Sequence, residues 1–292
     1  PADARGYLFS SNDMGVTWSQ AAGPTDLPDS PAYSVYPVGF DARGRLYVLV
    51  GSSAAAIGRA YGVLARSEDG GKTWKKMGDP VANWGGALDV NSFVATRQGA
   101  LLVSARNDGP AGTITSPVGG IYRSADDGVS WTLAKSSVAL VPAGSSSKED
   151  YIRKLLQDFS DVLYALTSKG HLYRSEDEGA TWTLAASSMT VGTAGWDVVL
   201  GPKNSLLLLP GVFGKDAVLK STDRGATWTS LVSTTAMGGY LSFNVNFIHT
   251  RQDGVMFAAG TRTSPAGEVF WTSKDGGTTW TVAATTVTLG FA

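Results

Sequence analysis

Carboxylates, guanidinium groups and indoles are the groups in this chain whose types could do chemistry. Two carboxylates flanking a glycosidic bond suffice to hydrolyse it, and Asp89 with Asp197 are the conceivable pair. Sequence does not give their separation. Arginine grips a carboxylate through two parallel N–H donors, and Arg59, Arg106, Arg153 and Arg262 are the candidates for that grip. Trp84 and Trp196 stand outside the repeated motif described next; an exposed indole can stack on the apolar C–H face of a sugar ring. Trp271, also outside it, reads as mid-strand core. His171 and His249 form neither metal-ligand nor catalytic-triad spacing. There are no cysteines, so disulfides and Cys-ligated zinc are excluded.

These residues have to be positioned by a repeat. Ser67 to Trp74 reads S-x-D-x-G-x-T-W, and the pattern returns at Ser11 to Trp18, Ser124 to Trp131, Ser175 to Trp182, Ser221 to Trp228 and Ser273 to Trp280. Starts at 11, 67, 124, 175, 221 and 273 give steps of 46 to 57 residues, near the period of repeats built from four-stranded units. Each copy lies between strand-like runs, such as Ile121-Tyr122-Arg123-Ser124 before it and Trp182-Thr183-Leu184 after it, so it reads as a hairpin connection. The Asp (13, 69, 126, 177, 223, 275) suits an Asx-type turn that accepts backbone N–H groups. The following Gly suits positive φ. The Trp (18, 74, 131, 182, 228, 280) can wedge between units and still find an acceptor for its N–H. Only Ser130 replaces the Thr, and it keeps the hydroxyl.

Six such copies in register resemble the Asp-box, or BNR-repeat, β-propeller families: sialidases, xyloglucanase-type glycosidases, sortilin-like receptors and photosystem assembly factors. The resemblance covers nearly the whole chain. It implies an all-β fold: a six-bladed β-propeller of four-stranded antiparallel blades, one domain over residues 1–292, its ring closed by N- and C-terminal strands. It also implies that the six motif Asp residues are structural, on a rim away from the ligand face. The sialidase catalytic motifs are absent: Arg5 is followed by Gly6-Tyr7, and only Glu149 and Glu268 lie outside motif copies. No catalytic residue is carried over from that family.

Repeated short strands with Gly, Asp and Asn turns fill the intervals between copies. Tyr151 to Phe159 has apolar residues at helical spacing, but its place in the repeat argues for a strand. The first unit lacks two inner strands, and Thr286 to Phe291 reads as one strand that closes the ring. The long irregular connections, among them Ser52 to Tyr61, Arg106 to Gly119 and Thr261 to Gly267, belong to the face opposite the motif. Binding concentrates in such loops. Asp89, Asn91, Asp197, Asn244 and Asn246 fall on innermost strands. They line either a water-filled channel or a ligand or cation site, with Asp89, Asp150 and Asp197 as oxygen donors.

The net charge of −1 gives no footprint for nucleic acid, and no run is long enough to insert into a membrane. The opening Pro1-Ala2-Asp3-Ala4 reads as the start of a processed or trimmed product. Low Lys with abundant Ser, Thr and Gly points to an extracellular, periplasmic or virion-surface protein. The expected function is recognition of a glycan or a surface protein, without catalysis, cofactor or resident metal. The alternatives are a glycoside hydrolase with a diverged site and a structural or assembly propeller.

Overall fold

The computed structural model describes residues 7–11, 13, 16–23, 26–28, 34–54, 59–78, 88–107, 120–136, 151–186, 195–210, 218–232, 243–251, 253–263 and 266–284. Apart from one short 3-10 turn at Pro202–Asn204, every regular element in them is a strand. The first sheet holds β1 (Leu8–Ser10) and β2 (Ser19–Ala22). The second holds β3 (Ser34–Phe40), β4 (Leu46–Ala54), β5 (Arg59–Ser67) and β6 (Lys75–Gly78). The third holds β7 (Leu88–Ala95), β8 (Leu101–Asn107), β9 (Gly120–Ser124) and β10 (Thr132–Ser136). The fourth holds β11 (Ile152–Gln157), β12 (Leu163–Thr167), β13 (Leu172–Ser175) and β14 (Thr183–Ala186). The fifth holds β15 (Gly195–Leu200), β16 (Leu206–Pro210), β17 (Val218–Ser221) and β18 (Thr229–Val232). The sixth holds β19 (Phe243–Thr250), β20 (Met256–Thr263), β21 (Ala266–Ser273) and β22 (Thr281–Ala284).

Strands follow sequence order in every sheet, so these are six consecutive antiparallel meanders, the blades of a propeller-type repeat. Five have four strands; the first has two among the described residues. The expected closing strand at 286–291 lies outside the described residues. The stretch from Tyr151 to Phe159 does form a strand, β11. By contacts the chain divides into two compact units, Pro1–Gln157 with Ser175–Trp182, and Asp158–Arg174 with Thr183–Ala292.

In the five four-stranded sheets the motif joins the third strand to the fourth, and the first copy joins β1 to β2. In the second sheet, Ser67 Oγ donates to Asp69 Oδ1 (2.8 Å) and accepts the Gly71 N–H (2.7 Å). Asp69 Oδ1 accepts the Thr73 N–H (2.9 Å), and Oδ2 accepts the Thr73 hydroxyl (2.6 Å). The same bonds close the turns at Asp126, Asp177, Asp223 and Asp275. The indoles of Trp74, Trp182, Trp228 and Trp280 donate to the carbonyl of their own motif glycine. Trp131 instead donates to Met77 O of β6, 3.0 Å away, and so ties the third sheet to the second.

The core lies between sheets. Val48, Val50, Val63 and Ala65 of the second sheet meet Ala22 and Leu27 on one side. Tyr47, Leu49 and Leu64 meet Val90, Leu101 and Val103 of the third sheet on the other. In the other unit, Leu207, Leu209 and Val218 pack on Met256, Val269 and the fully buried Trp271. This explains unbroken apolar strands such as Leu206-Leu207-Leu208-Leu209, all buried: a sheet covered on both faces has no polar side to alternate with.

Gly225 has φ +88, and an added Cβ would lie 2.4 Å from Leu172 Cδ2, inside a packed region. Gly99 has φ +105 with open space around it. Gly225→Ala should therefore cost roughly 3 kcal/mol, from left-handed strain plus overpacking. Gly99→Ala should cost about 1 kcal/mol from backbone conformation alone; urea denaturation of both variants checks the contrast. Hydrogen bonds, first from the hydroxyl four residues on, hold Asp13, Asp126, Asp223 and Asp275 at about 2, below an ordinary aspartate near 3.9. Their contribution to stability is complete above about pH 4 and is lost as pH falls through about 2. The melting temperature should thus hold steady from pH 7 to 5 and drop below pH 4, as calorimetry across that range would record.

Candidate functional site

An antiparallel meander fixes which residues share an end. The motif turns and the connections from first to second strand lie at one end of each sheet. The starts of first strands, the ends of second strands and the links from second to third strand lie at the other. In the unit that holds the second and third sheets, β7 lies between β3 and β11. The Leu155 N–H donates to Ser92 Oγ (2.9 Å), and Gln157 accepts the Arg97 N–H (2.9 Å) and donates to Gln98 (3.0 Å). Advancing along β7 therefore advances along β11, and their starts lie at the same end.

That end, away from the motif, gathers several of the candidates. Asp89 and Arg106 are register partners across β7 and β8. Arg153 is the second residue of β11. It is half-buried, its guanidinium 5.9 Å from the Tyr151 ring centroid, and Nη2 donates to Tyr151 Oη (3.3 Å). Arg59 opens β5, opposite Ala54. In the other unit, Trp196 and Asp197 lie on β15 and Arg262 on β20. Asp197 is half-buried and its Oδ1 accepts the Val198 N–H (2.8 Å). Trp84 and Asp150 lie outside the described residues.

Three arginines expected in loops stand on strands. The β4–β5 ladder runs to Ala54↔Arg59, so Ser52 to Ala54 and Arg59 to Tyr61 are paired. The β20–β21 ladder runs to Thr263↔Ala266 and places Arg262 opposite Gly267. Arg106 is the penultimate residue of β8. In each case the strands continue past the point where polar and small residues suggested a loop, because ladder hydrogen bonds do not require apolar side chains. Between Thr263 and Ala266 only two residues remain, a hairpin-length link.

Sequence reasoning missed a shared irregularity. The first strands of the third, fifth and sixth sheets each carry a β-bulge at Asn91, Trp196 and Asn246 respectively. Each bulged residue faces the gap between the fourth and fifth residues of its second strand: Ser104 and Ala105, Leu209 and Pro210, Ala259 and Gly260. Bulges re-aim side chains and are frequent beside active sites. All three residues were singled out from sequence as polar or aromatic exceptions; the extra residue that makes them equivalent has no signature in residue type.

The motif end also has a cleft, of about 250 Å³, lined by Arg43, Arg45, Gln98, Asp126, Asp127 and Glu178. Its carboxylates are engaged by the chain itself. Asp126 is closed within its turn. Asp127 accepts two bonds from Arg45 (2.9 and 2.8 Å) and one from Arg66 (2.7 Å). Those bonds, Arg45 foremost, hold it down to about 2. Glu178 accepts from Arg123 (3.3 Å). Such saturation suits a structural junction. Among the described residues, no group of three His, Asp or Glu could hold a metal ion, and no helix is long and apolar enough to cross a membrane.

No family model matches the chain. A curated xyloglucanase from Paenibacillus sp is 25% identical over 266 residues, in an alignment that covers 81% of this chain and 25% of that protein. The chain thus spans about a quarter of its relative's length. Among solved structures, it is similar to YCF48 bound to D1 peptide, at 19% identity and a TM-score of 0.60, covering 95% of this chain and 76% of that one. It is also similar to the Hadza microbial sialidase Hz136, at 18% identity and a TM-score of 0.57, covering 85% and 58%. At these identities the likeness is one of fold, and these neighbours are propeller proteins: the chain is an all-β propeller.

Proposed function

We propose that this chain is an Asp-box-type propeller that recognises a glycan at the ends of its sheets opposite the motif turns, without catalysing a reaction. One observation carries the reading: the carboxylates of the motif turns are consumed by internal bonds, whereas Arg153, Arg59 and Arg106 stand at the opposite ends of their sheets. By residue type each unit has groups suited to sugars, the amide of Asn91 in one, and the amide of Asn246 and the indole of Trp196 in the other. Arg153, braced on Tyr151, suits an acidic sugar or a carboxylate-bearing substituent. The glycan class is supported by the xyloglucanase and the sialidase among the similar proteins. On this reading the chain works outside the cell or on a virion surface.

A peptide is the second reading, favoured by the solved YCF48 bound to D1 peptide. A hydrolase with Asp89 and Asp197 as its carboxylates is the third. A glycan array that includes xyloglucan fragments and sialosides separates them. Specific glycan binding is expected, weakened about fivefold or more by Asn91→Ala and by Arg153→Ala, as for anchor residues whose truncation costs over ~1 kcal/mol. Binding of extended peptides and of no glycan would replace the reading. Release of sugar that is lost in Asp89→Asn or Asp197→Asn would establish a hydrolase instead.

A further inference from the structure

The residue just before the motif glycine varies more than its neighbours: Met14, Gly70, Asp127, Glu178, Arg224 and Gly276. Its backbone is left-handed in every described copy, with φ from +56 to +74. Glycine adopts that conformation freely, while Asp127, Glu178 and Arg224 are strained there. A charged side chain held at a cost in conformation calls for a compensating contact, and Asp127 and Glu178 each have one on the preceding sheet.

The contacts follow the charge of that sheet. In the second sheet, Asp41 accepts the Tyr47 hydroxyl (3.2 Å) and pairs with Arg45, while Arg66 stands on β5. Asp41 and Glu68 each pair with one of these arginines, and the guanidinium N–H groups left over, on Arg45 Nη1 and Nη2 and Arg66 Nη1, converge on a positive socket filled by Asp127. In the third sheet the matching positions are Thr96, Ala100 and Arg123, again positive, and Glu178 fills it through Arg123. In the fourth, Asp158 accepts the Tyr164 hydroxyl (3.1 Å) just as Asp41 accepts that of Tyr47, and Arg174 matches Arg66. Val162 stands where the second sheet has Arg45. The socket has lost a positive charge, and the residue that follows is Arg224, whose charge, like that of Arg174, acts on Tyr164. The fifth sheet has Gly201, Ser205 and Lys220 at these positions, positive like the third sheet, and is followed by Gly276, which has no side chain to offer, so the matching is confined to junctions with a charged pre-glycine residue.

We infer that the pre-glycine residue is the position by which the third, fourth and fifth sheets each recognise their predecessor, a charge plug matched to a charge socket, so that these junctions are specified by complementary ionic contacts. Charged contacts specify partners by penalising wrong ones.

A transplant tests it. Asp127→Arg alone sets a third guanidinium against Arg45 and Arg66 and should lower the urea midpoint. Adding Arg45→Val rebuilds the fourth sheet's arrangement of Asp158, Val162, Tyr164, Arg174 and Arg224 two junctions earlier. The double variant should recover more than half of the midpoint lost by Asp127→Arg, although Arg45→Val by itself also lowers the midpoint. Losses that simply add would overturn the inference. If Asp127→Arg yields no folded protein, the double variant decides: folded protein with a cooperative transition supports the matching, and an unfolded double variant refutes it.

Discussion

A carboxylate closing a five-residue turn is the interaction on which this architecture depends. Asp69 takes an N–H and a hydroxyl from Thr73 and a further hydroxyl from Ser67, and its counterparts do likewise in the other sheets. Hydrogen bonds to an ionised acceptor are the strong ones, and here several converge on one side chain. The turn is thus locked locally, without help from a core. The Trp at its end can then be placed reproducibly against the glycine carbonyl, with its ring toward the apolar layers between sheets.

Those layers repeat the same arrangement. The second sheet is apolar on both faces, and β16 is buried along its run from Leu206 to Leu209, which removes there the solvent-facing side that would otherwise set strand register. Register has to come from the ends instead. The motif turns clamp one end, and the tight connections from first to second strand help: Asp41 and Asp158 each accept N–H groups from the turn they open. The central apolar strands can then be interchangeable in character, as Leu206 to Leu209 and Leu163 to Leu166 are, while the polar ends carry what distinguishes one sheet from another.

That division explains what was legible in the sequence. The motif copies announced six meanders because turn chemistry is local: a Ser, Asp, Gly, Thr and Trp at fixed offsets need no knowledge of the rest of the chain. Trp271 as core and Tyr151 to Phe159 as strand followed from place in the repeat. Strand ends were less legible. Arg59, Arg106 and Arg262 looked like loop residues because small and polar neighbours carry no apolar alternation, yet their backbones remain in the ladder. The bulges at Asn91, Trp196 and Asn246 were invisible because an unpaired residue is defined by the partner strand. The roles of Asp127 and Glu178 lay in contacts with residues 55 to 82 positions away, beyond the reach of any local pattern.

The equivalent bulges carry an evolutionary consequence. A bulged residue is surplus to the ladder, so the paired residues on either side keep their partners whatever side chain it bears. Asn, Trp and Asn already occupy the three equivalent positions of this one chain. Drift at residues 91, 196 and 246 could therefore change the side chain at each position separately while the ladder around it keeps its pairing.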